Sequence, residues 1–485
     1  MLPCLGTGWP YLPHPSSPMV TFFNILIVVM LFNVIIFVHE LGHFLAARWR
    51  GLRVDRFQIW FGKPIWKKEI NGVQYGIGWL PAGGFVALPQ MAPMESVEGK
   101  NREDEDPLLP VKPLDKIIVA IAGPLFSFGL AVVSALVVMG IGKPKDTVES
   151  TVLGYVAEDG AAAKVLQVGD EILAVNGEPV NGFLGSAAFD SVKESVMLSE
   201  GDKIEFLVKR NGEEKTLTTE FSIPGTKWYK RKGMREVGIW VENKIILAGV
   251  LIGGPAENAG LKTGDQIISA NGELMRSRQR LMELIKNSDS KELLLVVKRG
   301  EGEERVPVKP LTPTNLEGAQ PMIGVHFERG DEFTSTIYHP GPMEQVGDSV
   351  RMMWVTLSKI VSPTSDVGIQ HLSGPVGIGG VMFDMLSIKD GWKRLLFFMV
   401  LFNVNLAILN MMPFPILDGG HIVLSIGEIL AGRPIKARLL EAVQFVFFFL
   451  LMGLFLFITS KDIGDRLGGG GGGPEELEWP KEATS

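Results

Sequence analysis

The chain has 485 residues, 46% hydrophobic and 21% charged, with a formal net charge of −7. Soluble chains carry about 25% charge, so the composition leans toward a membrane protein, and the acidic balance leaves no broad basic surface for nucleic acid. A single cysteine, Cys4, excludes an internal disulfide framework, a cysteine-based zinc finger and an iron–sulfur site.

Length allows roughly three domains. In chain order, Met1–Pro18 is Pro-rich and carries no Lys, Arg, Asp or Glu, so residues 1–18 read as an extension, with Met19 the more typical start. Phe22–Val38 is the first long apolar run; with no preceding Lys or Arg it is a spanning helix, over 19–47, rather than a cleavable signal. Further runs at Ile117–Gly142, Leu395–Leu417 and Val443–Ile458 predict spans over 116–142, 393–425 and 438–460. Pro413 and Pro415 interrupt the third.

Basic residues set the expected orientation. Arg48, Arg50, Arg53 and Arg56 follow the first span, Lys112 and Lys116 precede the second, and Arg433, Lys436 and Arg438 lie between the third and fourth. These short connections, including loop 48–115, are expected on the cytoplasmic side. Both termini and the long segment between spans two and three fall on the other side.

That long segment holds an internal repeat. Leu166–Val180 and Leu261–Met275 are offset by 95 residues and identical at seven of fifteen positions. Each contains Gly-Asp, an apolar strand and an Asn-Gly turn signal, Asn176-Gly177 and Asn271-Gly272. A period this long is a duplicated domain, here over 150–241 and 242–328, rather than a solenoid. The pattern resembles circularly permuted bacterial PDZ domains, which implies peptide capture by strand addition. Val237-Gly238-Ile239 and Ile323-Gly324-Val325 are the expected groove edges. Residues 329–392 form a linker back to the membrane, with Val346–Ile360 as an amphipathic segment.

The chemistry sits at the end of the first span. His39-Glu40-Leu41-Gly42-His43 is an HExxH motif, which puts two imidazoles on one helix face to hold Zn²⁺, with Glu40 beside them as general base. With seven His and 54 acidic residues, about 0.01 chance matches are expected. Such zinc sites use three protein ligands and leave one position for water. The best third donor is Asp418, in Asn410–His421, with His421 as its rival.

HExxH in span one, Asn410-x-x-Pro413-x-Pro415-x-Leu417-Asp418-Gly419-Gly420 in span three and the tandem repeat between them resemble the site-2 protease family of intramembrane zinc metalloproteases. The resemblance runs from about Met19 to Leu467. It implies zinc on His39, His43 and Asp418, water activation by Glu40, and substrate binding at Asn410. It also implies a bacterial inner-membrane enzyme with periplasmic PDZ domains, cleaving single-span proteins already trimmed outside, such as anti-sigma factors, or remnant signal peptides. Val54–Met91 resembles the family's membrane-associated β-hairpin, with Asn71-Gly72 as its turn and Tyr75, Gly76, Ile77 and Gly78 on an edge that pairs with unwound substrate. Ser127 stands where asparagine is more usual, and residues 468–485 read as a glycine linker and a tail outside the fold. The expected fold is thus a polytopic α-helical membrane protein with four spans, two mostly-β PDZ domains and the hairpin. A catalytically silent PDZ scaffold and a zinc transporter are the alternative classes.

Overall fold

The computed structural model describes residues 18–91, 111–185, 190–315, 318–328, 333–388, 390–433, 437–468 and 477–480. The N-terminal extension with Cys4, the glycine run after Gly468, and Lys436 lie outside them. The chain divides into two compact units: one holds residues 1–144, 337–357 and 372–467, the other residues 145–336, 358–371 and 468–485.

The first unit is helical. Its long elements are α1 (Pro18–Arg50) and α2 (Pro113–Ile141), followed in the second unit by the short helices α3 (Val192–Met197), α4 (Pro255–Asn258) and α5 (Arg278–Lys286). Then come α6 (Pro342–Val361), α7 (Pro375–Leu386), α8 (Gly391–Asn410), α9 (Asp418–Ala431) and α10 (Ala437–Gly468). Among the described residues, four helices are long and apolar enough to cross a membrane: α1, α2, α8 and residues 442–466 of α10. Small side chains make their contacts close. Ala131, Ala135 and Val138 of α2 are fully buried with Val400 and Val404 of α8. The outward faces are apolar, with Phe22, Phe23 and Met30 on α1 and Val446 and Leu456 on α10 exposed, as a lipid-facing surface requires.

The expected third span, 393–425, is two helices. Proline lacks an N–H and clashes with a preceding helical turn, so the chain leaves the helix after Asn410 and restarts at Asp418. Gly420 permits the tight turn between them, since a Cβ there would lie 2.1 Å from the Phe414 carbonyl oxygen.

β1 (Arg56–Ile70) and β2 (Val73–Ala87) form an antiparallel ribbon around Asn71-Gly72, both at positive φ. The ribbon doubles back on itself. Gln74–Ile77 pairs with Arg56–Ile59 on one flank and with Trp66–Glu69 on the other, while Gly84–Ala87 pairs with Arg56–Ile59. Tyr75, Gly76 and Ile77 therefore lie on an interior strand, and the open edge expected there does not exist. The cause is the irregular stretch near Trp60, which has positive φ, as does Gly62, and whose carbonyl accepts a hydrogen bond from buried Gln58 Nε2. A Cβ at Gly78 would lie 2.3 Å from the Phe61 carbonyl, so that residue too is enclosed.

The second unit contains two β units of matching design. In the first, Glu178–Pro179, Glu171–Val175, Ile204–Arg210 and Glu213–Thr219 are neighbours in that order, and Leu153–Val156 pairs with Ile239–Val241. In the second, Gly302–Val308, Leu293–Arg299, Gln266–Ala270, Ile245–Val250 and Val325–Phe327 are neighbours, with Glu273–Leu274 on Gln266–Ala270. Equivalent positions fill both cores, Leu166 and Ile172 in one and Leu261 and Ile267 in the other. All four Asn and Gly residues of the two repeat turns have positive φ, as the sequence required.

Each Gly-Asp motif builds the same buried clamp. Asp170 accepts from Arg210 Nε and Nη2, both at 2.7 Å, and from the Gln167 amide at 2.8 Å. Asp265 accepts from Arg299 Nε and Nη2, both at 2.8 Å, and from the Lys262 amide at 2.8 Å. The Arg299 guanidinium beside Asp265 holds its carboxyl below the usual carboxylate range.

Candidate metal centre

α1 carries His39 and His43 one turn apart, and both are buried. Their Nε2 atoms lie 3.3 Å from each other. Asp418, the first residue of α9, closes the triangle: Oδ2 is 3.3 Å from His39 Nε2 and Oδ1 is 3.3 Å from His43 Nε2. Its carboxylate also sits where the partial positive charge of a helix N-terminus favours an anion.

The opposite ring nitrogens are tied to α2. His43 Nδ1 is 2.8 Å from the Val119 carbonyl oxygen, which can only accept, so this nitrogen carries the proton and leaves Nε2 with a bare lone pair in the neutral ring. His39 Nδ1 is 3.0 Å from the hydroxyl of fully buried Ser127. Helix α2 comes this close because of Gly123, where a Cβ would lie 2.2 Å from His43 Nε2.

The donor set fits zinc. Ligands about 2.0–2.1 Å from a tetrahedral ion lie about 3.3 Å apart, the spacing of all three pairs. Asp418 Oδ2 is buried without a hydrogen-bond donor, a surplus of acceptors that a divalent cation satisfies. Among the described residues, His39, His43 and Asp418 form the one group of this kind. His421, the rival ligand, is outside it.

Glu40 follows His39 on α1 and its carboxylate faces the backbone of Val86 on β2. Val86 belongs to Gly84–Ala87, whose far flank has no strand partner among the described residues. Asn410 is half-buried at the end of α8, where the chain turns toward Asp418. Sequence reasoning missed the supports at Val119 and Ser127. A backbone carbonyl leaves no trace in a sequence, but Ser127 was one of two hydroxyl side chains in the second apolar run.

The chain belongs to peptidase family M50, whose model matches residues 27–454. A protease named RseP from Yersinia pestis is 30% identical over 88% of this chain and 96% of that one. The regulator of sigma-E protease RseP of Salmonella typhimurium is 27% identical over 90% of this chain and 97% of its own length. A Neisseria meningitidis protein bearing a zinc-metalloprotease name is 30% identical over 86% of this chain and 92% of that one. Among solved structures, a PDZ domain from Listeria monocytogenes covers 18% of this chain and 87% of its own, at 21% identity and a TM-score of 0.16. The protein is accordingly a zinc metallopeptidase with helices long and apolar enough to cross a membrane.

Proposed function

We propose that the chain is an intramembrane endopeptidase, with His39, His43 and Asp418 as its zinc ligands and Glu40 as its general base. The observation that carries this reading is the convergence of the two imidazole Nε2 atoms and the Asp418 carboxylate inside an apolar helical unit. Zinc at this site supplies Lewis-acid polarisation of a carbonyl and acidifies a water. Glu40 accepts the water's proton as the C–O bond forms and then passes it to the amide nitrogen, so that the C–N bond breaks and the amine leaves. The Val119 carbonyl holds His43 in the tautomer this requires, and the Ser127 hydroxyl orients the His39 ring.

A helical substrate keeps its carbonyls hydrogen-bonded, so it must unwind before attack. The flank of Gly84–Ala87 without a strand partner, beside Glu40, offers backbone groups to an extended segment, and this role passes to it from Tyr75–Gly78. Asn410, at the helix break next to Asp418, binds the substrate backbone. The ribbon lies against the membrane.

The substrates are single-span proteins trimmed beforehand, of the anti-sigma-factor class, in the inner membrane of a bacterium, and remnant signal peptides are a second class. The active site faces the cytoplasmic side, as Arg48, Arg50, Arg53 and Arg56 suggest. The two β units are circularly permuted PDZ domains on the periplasmic side that refuse substrates with bulky external portions. The test is cleavage of a single-span substrate in membranes. Wild type cuts it and Glu40→Gln does not; equal cleavage by both sinks the reading. Replacing residues 152–327 by a short linker should admit an untrimmed substrate, and continued refusal would remove the gating role.

A further inference from the structure

The second β unit carries an occupant drawn from the same chain. The Thr314 N–H and hydroxyl both donate to the Glu478 carbonyl, at 2.8 and 3.1 Å, and the Glu478 N–H donates to Asn315 Oδ1 at 3.0 Å. Three bonds thus fix the backbone at Glu478. Trp479 is partly buried, over two glycines. A Cβ on Gly324 would lie 3.0 Å from its Cζ2, and one on Gly254 would lie 3.4 Å from its Nε1.

The seat exists because backbone segments converge there without side chains. Leu251 N–H donates to the Gly324 carbonyl at 2.9 Å, and Ala256 N–H to the Ile323 carbonyl at 2.8 Å. Bare glycine on both sides leaves a shallow apolar floor that a flat indole covers. The seat includes Ile323-Gly324-Val325, the groove edge expected from the sequence. In the first β unit the matching Gly238 faces the chain itself: a Cβ there would meet Gly160 Cα at 3.0 Å and Ala157 Cβ at 3.3 Å. The corresponding floor in that copy is already covered.

We propose that this face of the second β unit is a peptide-docking site, that Leu477–Pro480 of the same chain is its resident ligand, and that an external peptide of the same chemistry, an extended backbone carrying one aromatic ring, competes for it. Residues 469–476 join this segment covalently to α10, which sets its effective concentration at roughly millimolar. A tethered ligand at that concentration screens out weak external peptides and yields to strong ones. The site is independent of the protease reading, since occupancy is measured without cleavage.

The test uses the purified full-length protein and a fluorescein-labelled peptide of residues 475–482, with binding followed by anisotropy. Trp479→Ala vacates the seat and should bind the peptide about tenfold more tightly than wild type. The same peptide with alanine in place of tryptophan should bind neither protein. Equal affinity for wild type and Trp479→Ala, or no saturable binding to the variant, overturns the proposal. Hydrogen exchange gives a second readout: the Thr314 amide should exchange about tenfold faster in Trp479→Ala, and an unchanged rate counts against the docking.

Discussion

The metal cluster and the Asp–Arg clamps of the β units are both buried ionic arrangements, built in opposite ways. Each clamp lies within one repeat and is closed: the Asp265 carboxylate receives two guanidinium bonds and a backbone amide. The cluster draws on α1 and α9 with props from α2, and it is open, with Asp418 Oδ2 buried and unmatched by a donor. Closed ionic pairs hold a fold together, whereas converging acceptors without donors are a place for a cation.

Substitutions should separate the two kinds by their effect on metal. His39→Ala and His43→Ala should lose zinc and cleavage together, while Glu40→Gln should keep zinc and lose about 10²–10⁴-fold in cleavage rate. Retained cleavage in either histidine variant, measured beside metal content, would break the distinction. Gly123→Ala comes next, because its methyl would displace His43; reduced zinc with an unchanged helical circular dichroism spectrum is expected. Ser127→Ala leaves the ligands in place and removes one support, so zinc affinity should fall about 10–100-fold by chelator competition.

Asp265→Asn should leave zinc untouched and destabilise the second β unit, because the Arg299 guanidinium loses its charged partner. The pH dependence follows from the depressed pKa of Asp265. Its stabilisation is present above the unfolded carboxyl value of about 4 and is lost as pH falls through the lower folded value. Thermal unfolding of this unit should shift less between pH 6 and pH 3 in Asp265→Asn than in wild type, and equal shifts would deny the clamp its closed character.

What could be read from the sequence follows the same division. HExxH is legible because two ligands and the base sit within one helical turn, where spacing alone fixes geometry. Asn-Gly turns and the Gly-Asp repeat are legible for the same local reason. Asp418 was reachable through Pro413 and Pro415, which forecast a break in an apolar run, although the turn that delivers it at a helix N-terminus was not. The ribbon and its Asn71-Gly72 turn were legible but its open edge was not: irregular backbone at Trp60 and Gly62 decides which strand is interior, and this moves the open edge from Tyr75–Gly78 to Gly84–Ala87. The seat of Trp479 joins residues far apart in the chain, and only the fold brings them together.

Zinc content by inductively coupled plasma mass spectrometry on purified Glu40→Gln, Asp418→Ala and His421→Ala tests the central claim most directly. One zinc per chain in Glu40→Gln and His421→Ala, with little in Asp418→Ala, is the expected result. Full zinc in Asp418→Ala together with loss in His421→Ala would contradict it.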